Sequence, residues 1–190
     1  MIFSRAKVTL TPIEIHLNAR LQPMHRGELF EDPLHEFLRK RDRRSEVTGG
    51  GTSLSPDYEV LSCDIEAVIA EDPNAALVPL VSFLEGIGAP IGSYLTVDGG
   101  ERIALGTWEG TALYVDGTET PPEEADDLNQ AFPDIIAALK YGDKLFSWWN
   151  GPTATALYFY GASHEVTVAR VTLAMQNRSF TKDMRFEKIA

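Results

Sequence analysis

The sequence predicts an α+β fold of two duplicated ferredoxin-like modules, each with the order βαββαβ and an antiparallel sheet covered on one face by two helices. Three observations predict it. Some segments alternate strictly between apolar and polar residues, apolar stripes at helical spacing open with Asp-Pro pairs, and the same element order returns in the second half of the 190 residues. The modules are expected at 1–98 and 101–190, joined at Asp98-Gly99-Gly100, where a glycine pair lets the chain reverse at low steric cost. A shared sheet face is expected to pack the two as one compact unit.

In chain order, Ile13, Ile15, Leu17, Ala19 and Leu21 alternate with Glu14, His16, Asn18 and Arg20, the period of a half-buried strand. Asp32 and Pro33 offer an N-cap and an N1 proline to a helix with the stripe Leu34, Phe37 and Leu38. It ends in Arg39-Lys40-Arg41 with Arg43 and Arg44, charges that suit a helix C-terminus and a solvated face. Gly49-Gly50-Gly51 follows as a bulge or hairpin shoulder between strands. A phosphate loop would need Gly-Lys-Ser/Thr at the start of a helix. Residues 58–69 alternate again, with Leu61, Cys63, Ile65, Ala67 and Ile69 against Ser62, Asp64 and Glu66. Asp72-Pro73 opens a helix bearing Leu77, Leu80, Val81 and Leu84, in which Pro79 is expected to introduce a kink unless the missing bond falls in the first turn. Residues 91–97 return as a strand.

The second half repeats the order. Residues 103–115 read as a strand or bent hairpin and 126–139 as a helix interrupted at Pro133. Residues 145–149 and 156–160 read as strands around Gly151-Pro152-Thr153, 164–176 as a helix and 184–189 as a closing strand.

Apolar residues make up 44% of the chain, which excludes wholesale disorder and supplies one sizeable core or two small ones. The net charge of −11 is concentrated in residues 57–143, which hold eighteen Asp/Glu against only Arg102 and Lys140. A surface of that sign argues against general nucleic-acid binding. The single cysteine, Cys63, builds neither a disulfide framework nor a Cys-rich zinc site, and its strand parity makes it a buried hydrophobe. No apolar run reaches the roughly 20 residues of a membrane helix, and Met1 to Lys7 lacks the pattern of a secretory leader. A cytoplasmic protein that does not engage membranes is therefore expected.

Val47-Thr48-Gly49-Gly50-Gly51-Thr52 and the stretch from Gly151-Pro152-Thr153 to Tyr160-Gly161 resemble a group of small acidic bacterial proteins. Their profile, acidic and without a catalytic signature, is similar to that of immunity proteins of toxin systems. The resemblance implies a non-enzymatic inhibitor that covers a basic toxin surface, and it brings no site residues with it.

Two classes of site follow from the residues. Glu123, Glu124, Asp126 and Asp127 form an acidic stretch suited to steering a basic protein partner; self-association is a further option. The alternative is a small metal-dependent enzyme or ligand-binding domain. In a ferredoxin-like sheet the first and third strands are neighbours, so His16 and Arg20 should share a face with Asp64 and Glu66. The same residues equally suit a solvated face with cross-strand ion pairs. His25, His35 and His164 stand singly, so no metal or cofactor is expected. In the second half Tyr158 and Tyr160, with one of Trp148 and Trp149, should form an aromatic face. It suits packing against the first module or another chain better than stacking on bases, because no Lys or Arg is interleaved with it.

Overall fold

Alternation around Ile15 produces the central strand of the first sheet, and the buried side of that strand organises the rest of the module. A computed structural model describes residues 9–116, 122–139, 142–176, 178 and 184–190. Strand β1 (Thr11–Leu17) buries Ile13, Ile15 and Leu17 and turns Glu14 outward. It pairs antiparallel with β3 (Val60–Ile69) and β4 (Ser93–Val97). The nine-residue strand β2 (Glu46–Leu54) borders β3, and the short β5 (Ile103–Leu105) borders β4. The order is therefore β2-β3-β1-β4-β5.

The second sheet contains β6 (Glu109–Asp116), β7 (Lys144–Asn150), β8 (Ala154–Gly161) and β9 (Met184–Lys188), in the order β7-β8-β6-β9. In both sheets the first and third strands of the unit are central, the second flanks the third and the fourth flanks the first. The protein is an α+β fold with two antiparallel sheets, each flanked by helices, in a duplicated ferredoxin-like arrangement.

Helices α2 (Asp32–Arg41) and α3 (Pro73–Gly86) press Leu34, Leu38, Leu80 and Leu84 onto the apolar side of the first sheet. Helices α4 (Pro122–Ala138) and α5 (His164–Ala174) bury Ala131, Ile135 and Val171 against Leu113, Val115, Leu157 and Phe159 of the second sheet. The other side of that sheet, formed by Ala112, Tyr114, Ala156, Tyr158 and Tyr160, joins the core of the first module. Phe146 bridges the two, edge-on to Phe30 at 5.8 Å and stacked on Tyr160 at 4.8 Å. The second sheet is thus covered on both faces and the first on one. Among the described residues no helix is long and apolar enough to cross a membrane.

Two local expectations are corrected. The first helical stretch does not start at Asp32, which has helical dihedrals (φ −64°, ψ −49°). It starts at Pro23 with α1 (Pro23–Arg26) and reaches α2 through a π turn at Gly27–Glu31, where the Asp32 amide bonds the Gly27 carbonyl. Pro23 supplies the N1 proline instead. Residues 103–115 are two strands in different sheets, because the chain turns sharply at Gly106 (φ +103°), where a Cβ would lie 1.9 Å from the Pro90 carbonyl oxygen. Helix α3 runs through Pro79 from Pro73 to Gly86.

The glycine triplet lies inside β2, with a register shift between Val47 and Gly49. Arg26 lies against this strand. Its guanidinium donates to the Gly51 carbonyl and Thr52 Oγ1, both at 2.7 Å, and to Glu31 Oε1 at 2.6 Å, and so caps this edge strand. A Cβ on Gly50 would lie 2.6 Å from the Asp64 carbonyl oxygen and 2.8 Å from Glu31 Oε1. Gly50→Ala is expected to cost about 1–3 kcal/mol by overpacking. Gly51→Ala, whose Cβ approaches nothing closer than 3.9 Å, should stay within about 0.5 kcal/mol of the parent in urea melts.

Candidate functional site

The uncovered face of the first sheet collects the polar residues of β1, β3 and β4. Strand register sets Glu14 directly opposite Glu66 and His16 opposite Asp64, and on the other side His16 opposite Tyr94. His16 Nδ1 lies 2.8 Å from Asp64 Oδ1, and the imidazole stacks on Tyr94 at 4.8 Å and 22°. The Arg102 guanidinium lies over the same tyrosine ring at 4.2 Å. A row Asp64–His16–Tyr94–Arg102 therefore crosses the sheet. It ends at a groove of about 450 Å³ lined in part by Tyr94, Arg102, Glu85 and Ile91. Asp64 fixes the imidazole through Nδ1, which leaves Nε2 as the nitrogen that can exchange a proton or contact a ligand. Among the described residues neither Glu14 nor Glu66 has an ion-pair partner, and no group of three His, Cys, Asp or Glu side chains is placed to hold a metal ion.

Arg20 does not continue this face. β1 ends at Leu17, and the guanidinium of Arg20 turns into the junction between the sheets. There Arg20 Nη1 donates to Glu59 Oε1 and to Tyr114 Oη, while Tyr114 and Tyr158 donate their hydroxyls to Glu59 Oε1 at 2.6 Å and 2.7 Å. The Arg20 amide donates to Tyr160 Oη at 2.8 Å, and Arg185 lies 3.8 Å from the centre of the Tyr114 ring. Arg20 and Glu59 are each only 15% exposed. Burial, together with the hydrogen bond to Glu59, pushes the Tyr114 phenol up to about 12 and raises Tyr158 as well; burial also raises Tyr160. Burial alone would lower the Arg20 guanidinium, but Tyr114, Glu59 and Tyr158 outweigh it and hold it above its ordinary value. The network, which Glu187 joins through a 4.0 Å contact to Arg20, ties the two modules together. Sequence reasoning missed Glu59 and Tyr114. The available signal was that Tyr114 shares its parity with Ala112, as Tyr158 and Tyr160 share theirs.

The remaining candidates separate. Tyr158 and Tyr160 are buried, whereas Trp148 is 37% exposed and tilts onto His25 at 4.5 Å. Trp149, opposite Ala156, is the tryptophan that packs against the tyrosine side. Glu123, Glu124, Asp126 and Asp127 fall within α4, and their side chains lie outside the described residues. Cys63 is buried, its thiol 3.2 Å from the Leu21 carbonyl and raised by burial, which suits a structural residue.

No family model and no curated protein matches the chain. Solved structures resemble it at low identity. An unknown protein from Galdieria sulphuraria is 11% identical over 95% of this chain and 98% of that one, with a TM-score of 0.29. The regulatory subunit of aspartate kinase from Thermus flavus is 15% identical over 88% and 95%, also at 0.29. A mutant chlorite dismutase from Candidatus Nitrospira defluvii is 9% identical over 95% and 89%, at 0.31. Likeness at these scores carries no argument about activity, and the fold assignment rests on the chain's own strand order.

The tyrosine network has a signature at high pH. A phenol whose folded pKa is raised keeps its proton where the unfolded chain has lost it. The associated stability is complete below about pH 10, the ordinary tyrosine value, and is lost as pH rises toward 12. Tyr114→Phe should flatten that decline in denaturant melts and remove a late-titrating tyrosinate from the ultraviolet absorbance. Glu59→Gln, which leaves Arg20 only the longer 4.0 Å contact to the half-exposed Glu187, should cost about 2 kcal/mol, less than a fully buried pair because the site is partly open and a second carboxylate remains.

Proposed function

We propose that the protein is a non-enzymatic protein-binding module, an immunity-type inhibitor whose open sheet face docks a basic surface of a toxin. The observation that carries this reading is the Glu14–Glu66 pair. Two carboxylates directly opposite each other across an antiparallel ladder repel, at a cost of a few tenths of a kcal/mol up to about 1. No cation of the described residues relieves them, and Asp64 (55% exposed) adds a third negative charge beside them. A basic partner supplies the missing counter-charge. The −16 balance of residues 57–143, with Glu123, Glu124, Asp126 and Asp127 within it, extends the same field and favours fast, salt-sensitive association.

A second reading uses His16, Asp64 and Glu66 for acid–base chemistry or ligand binding. One contact favours it, the 2.8 Å His16–Asp64 pair that orients the imidazole. The two readings make different demands on the same face, since the first needs its charge and the second its imidazole.

Under the binding reading, Glu66→Gln raises stability by about 0.2–1 kcal/mol through relief of the cross-strand repulsion. It also slows association with a small basic probe protein several-fold at low salt, with little change in the dissociation rate. His16→Asn leaves that association rate within about twofold of the parent. Stopped-flow association at two ionic strengths, alongside urea melts, checks both. A Glu66→Gln variant that gains stability but binds the probe at the parent rate removes the reading.

A further inference from the structure

The first module carries opposite charge on its two outer sides. Its open sheet face presents Glu14, Asp64 and Glu66. On the helix side, Leu34 and Leu38 of α2 face the core, so Glu36, Arg39 and Lys40 point away from it, and Arg43, just beyond the helix end, is exposed. These four, with His35, line a groove of about 510 Å³ beside β2, where the Val47 amide donates to His35 Nδ1 at 3.4 Å. Glu36 and Glu46 offset part of the groove's charge through weak, exposed pairs. Arg39 is 3.9 Å from Glu46 and Lys40 is 3.4 Å from Glu36, and in both pairs every side chain is at least 46% exposed, where ion pairs contribute little. Arg43 has no ion-pair partner among the described residues. A groove on a molecule of net charge −11 is therefore left with positive charge available on one side, and the Glu14–Glu66 pair is left without a cation on the other.

We propose that copies of this chain stack head to tail, the groove of Arg39, Lys40 and Arg43 on one copy seating on the Glu14, Asp64 and Glu66 face of the next. The proposal rests on reading that sheet face as a docking surface, and it names a second copy of the chain as an occupant. The contact is heterologous: each copy that uses its groove still offers its sheet face, so association continues beyond a dimer unless the rotation closes a ring.

Net charge gives this contact an unusual salt dependence. At about 0.01 M salt the Debye length is roughly 30 Å, and the repulsion between whole molecules opposes stacking. At about 0.15 M it falls to roughly 8 Å, so that only the facing groups sense one another, and at about 1 M, roughly 3 Å, these too are screened. Stacking therefore passes through a maximum at intermediate salt. Attraction between a uniformly acidic protein and its own copies has no such maximum.

Sedimentation velocity at these three ionic strengths tests the proposal on the full chain. The weight-average mass is expected to roughly double at about 0.15 M relative to either extreme. Two charge-swap variants carry the decisive arm. Glu14→Lys with Glu66→Lys makes both sides positive, and Arg39→Glu with Arg43→Glu makes both sides negative. Each variant alone should sediment as a monomer, whereas an equimolar mixture should associate again, because every facing pair is then complementary. Far-UV circular dichroism confirms that both variants are folded. A wild-type chain that stays monomeric at all three salts overturns the proposal, as does a mixture that fails to associate. The basic probe protein separates the two readings. Arg39→Glu/Arg43→Glu retains its acidic sheet face and should still bind the probe. Probe binding without self-association removes the stacking and leaves the binding module standing, while loss of probe binding in the wild type removes the reading beneath both.

Discussion

The structure turns on the need to satisfy three tyrosine hydroxyls that the packing of the second sheet buries. Tyr114, Tyr158 and Tyr160 lie on the side of that sheet that joins the first core, and their rings supply much of the apolar area there. Each hydroxyl must find a partner once water is excluded. Glu59 just before β3 accepts from two of them, Arg20 just beyond β1 neutralises Glu59, and the Arg20 amide donates to the third. The residues that meet this demand sit where the two central strands of the first sheet enter or leave it. The network thereby fixes how the second sheet seats on the first module, and leaving any member out exposes a buried polar group without its partner.

That arrangement decides which surface remains for other molecules. The second sheet has helices on one side and the first core on the other, so neither of its faces is free. The first sheet has helices on one side only. An open sheet face made of apolar residues would invite indiscriminate association, whereas Glu14, Asp64 and Glu66 prevent it by charge. Arg26 does comparable work on the edge strand, where its bond to the Gly51 carbonyl occupies a backbone group and its bond to the Thr52 hydroxyl holds it there.

Much of this was readable from residue order, and the part that was not has a physical reason. Alternation in β1 and β3 identified both strands and the neighbours His16 and Asp64, because a period of two survives any change in the surroundings. The same rule placed Arg20 wrongly: β1 ends at Leu17, so although Ala19 and Leu21 stay buried as the alternation predicts, the polar side beyond the strand no longer belongs to the sheet face. The helix start was misplaced for a related reason. Asp32-Pro33 has the composition of a start, but Pro23 has it too, and a π turn keeps the backbone helical between them. Glu59 was out of reach altogether, because its partners are 39 to 99 residues away in sequence and only the packing of one sheet on the other brings them together.

The open face also separates what stabilises the fold from what suits an interaction. A carboxylate pair across β1 and β3 costs at most about 1 kcal/mol, against a total stability on the order of 5–15 kcal/mol for a domain. Such a cost is small enough to persist and large enough to be removed readily, because a single Glu→Gln change at either position relieves it without disturbing a neighbour. Solubility alone does not require it: a carboxylate opposite a neutral residue keeps the face equally polar. The alignment of Glu14 with Glu66, and of Asp64 with the imidazole between them and Tyr94, concentrates negative charge on the two central strands, where any partner covering the sheet must make contact. Charge held at the centre of a face, against local repulsion, is the local cost that the proposed binding of a basic partner would relieve.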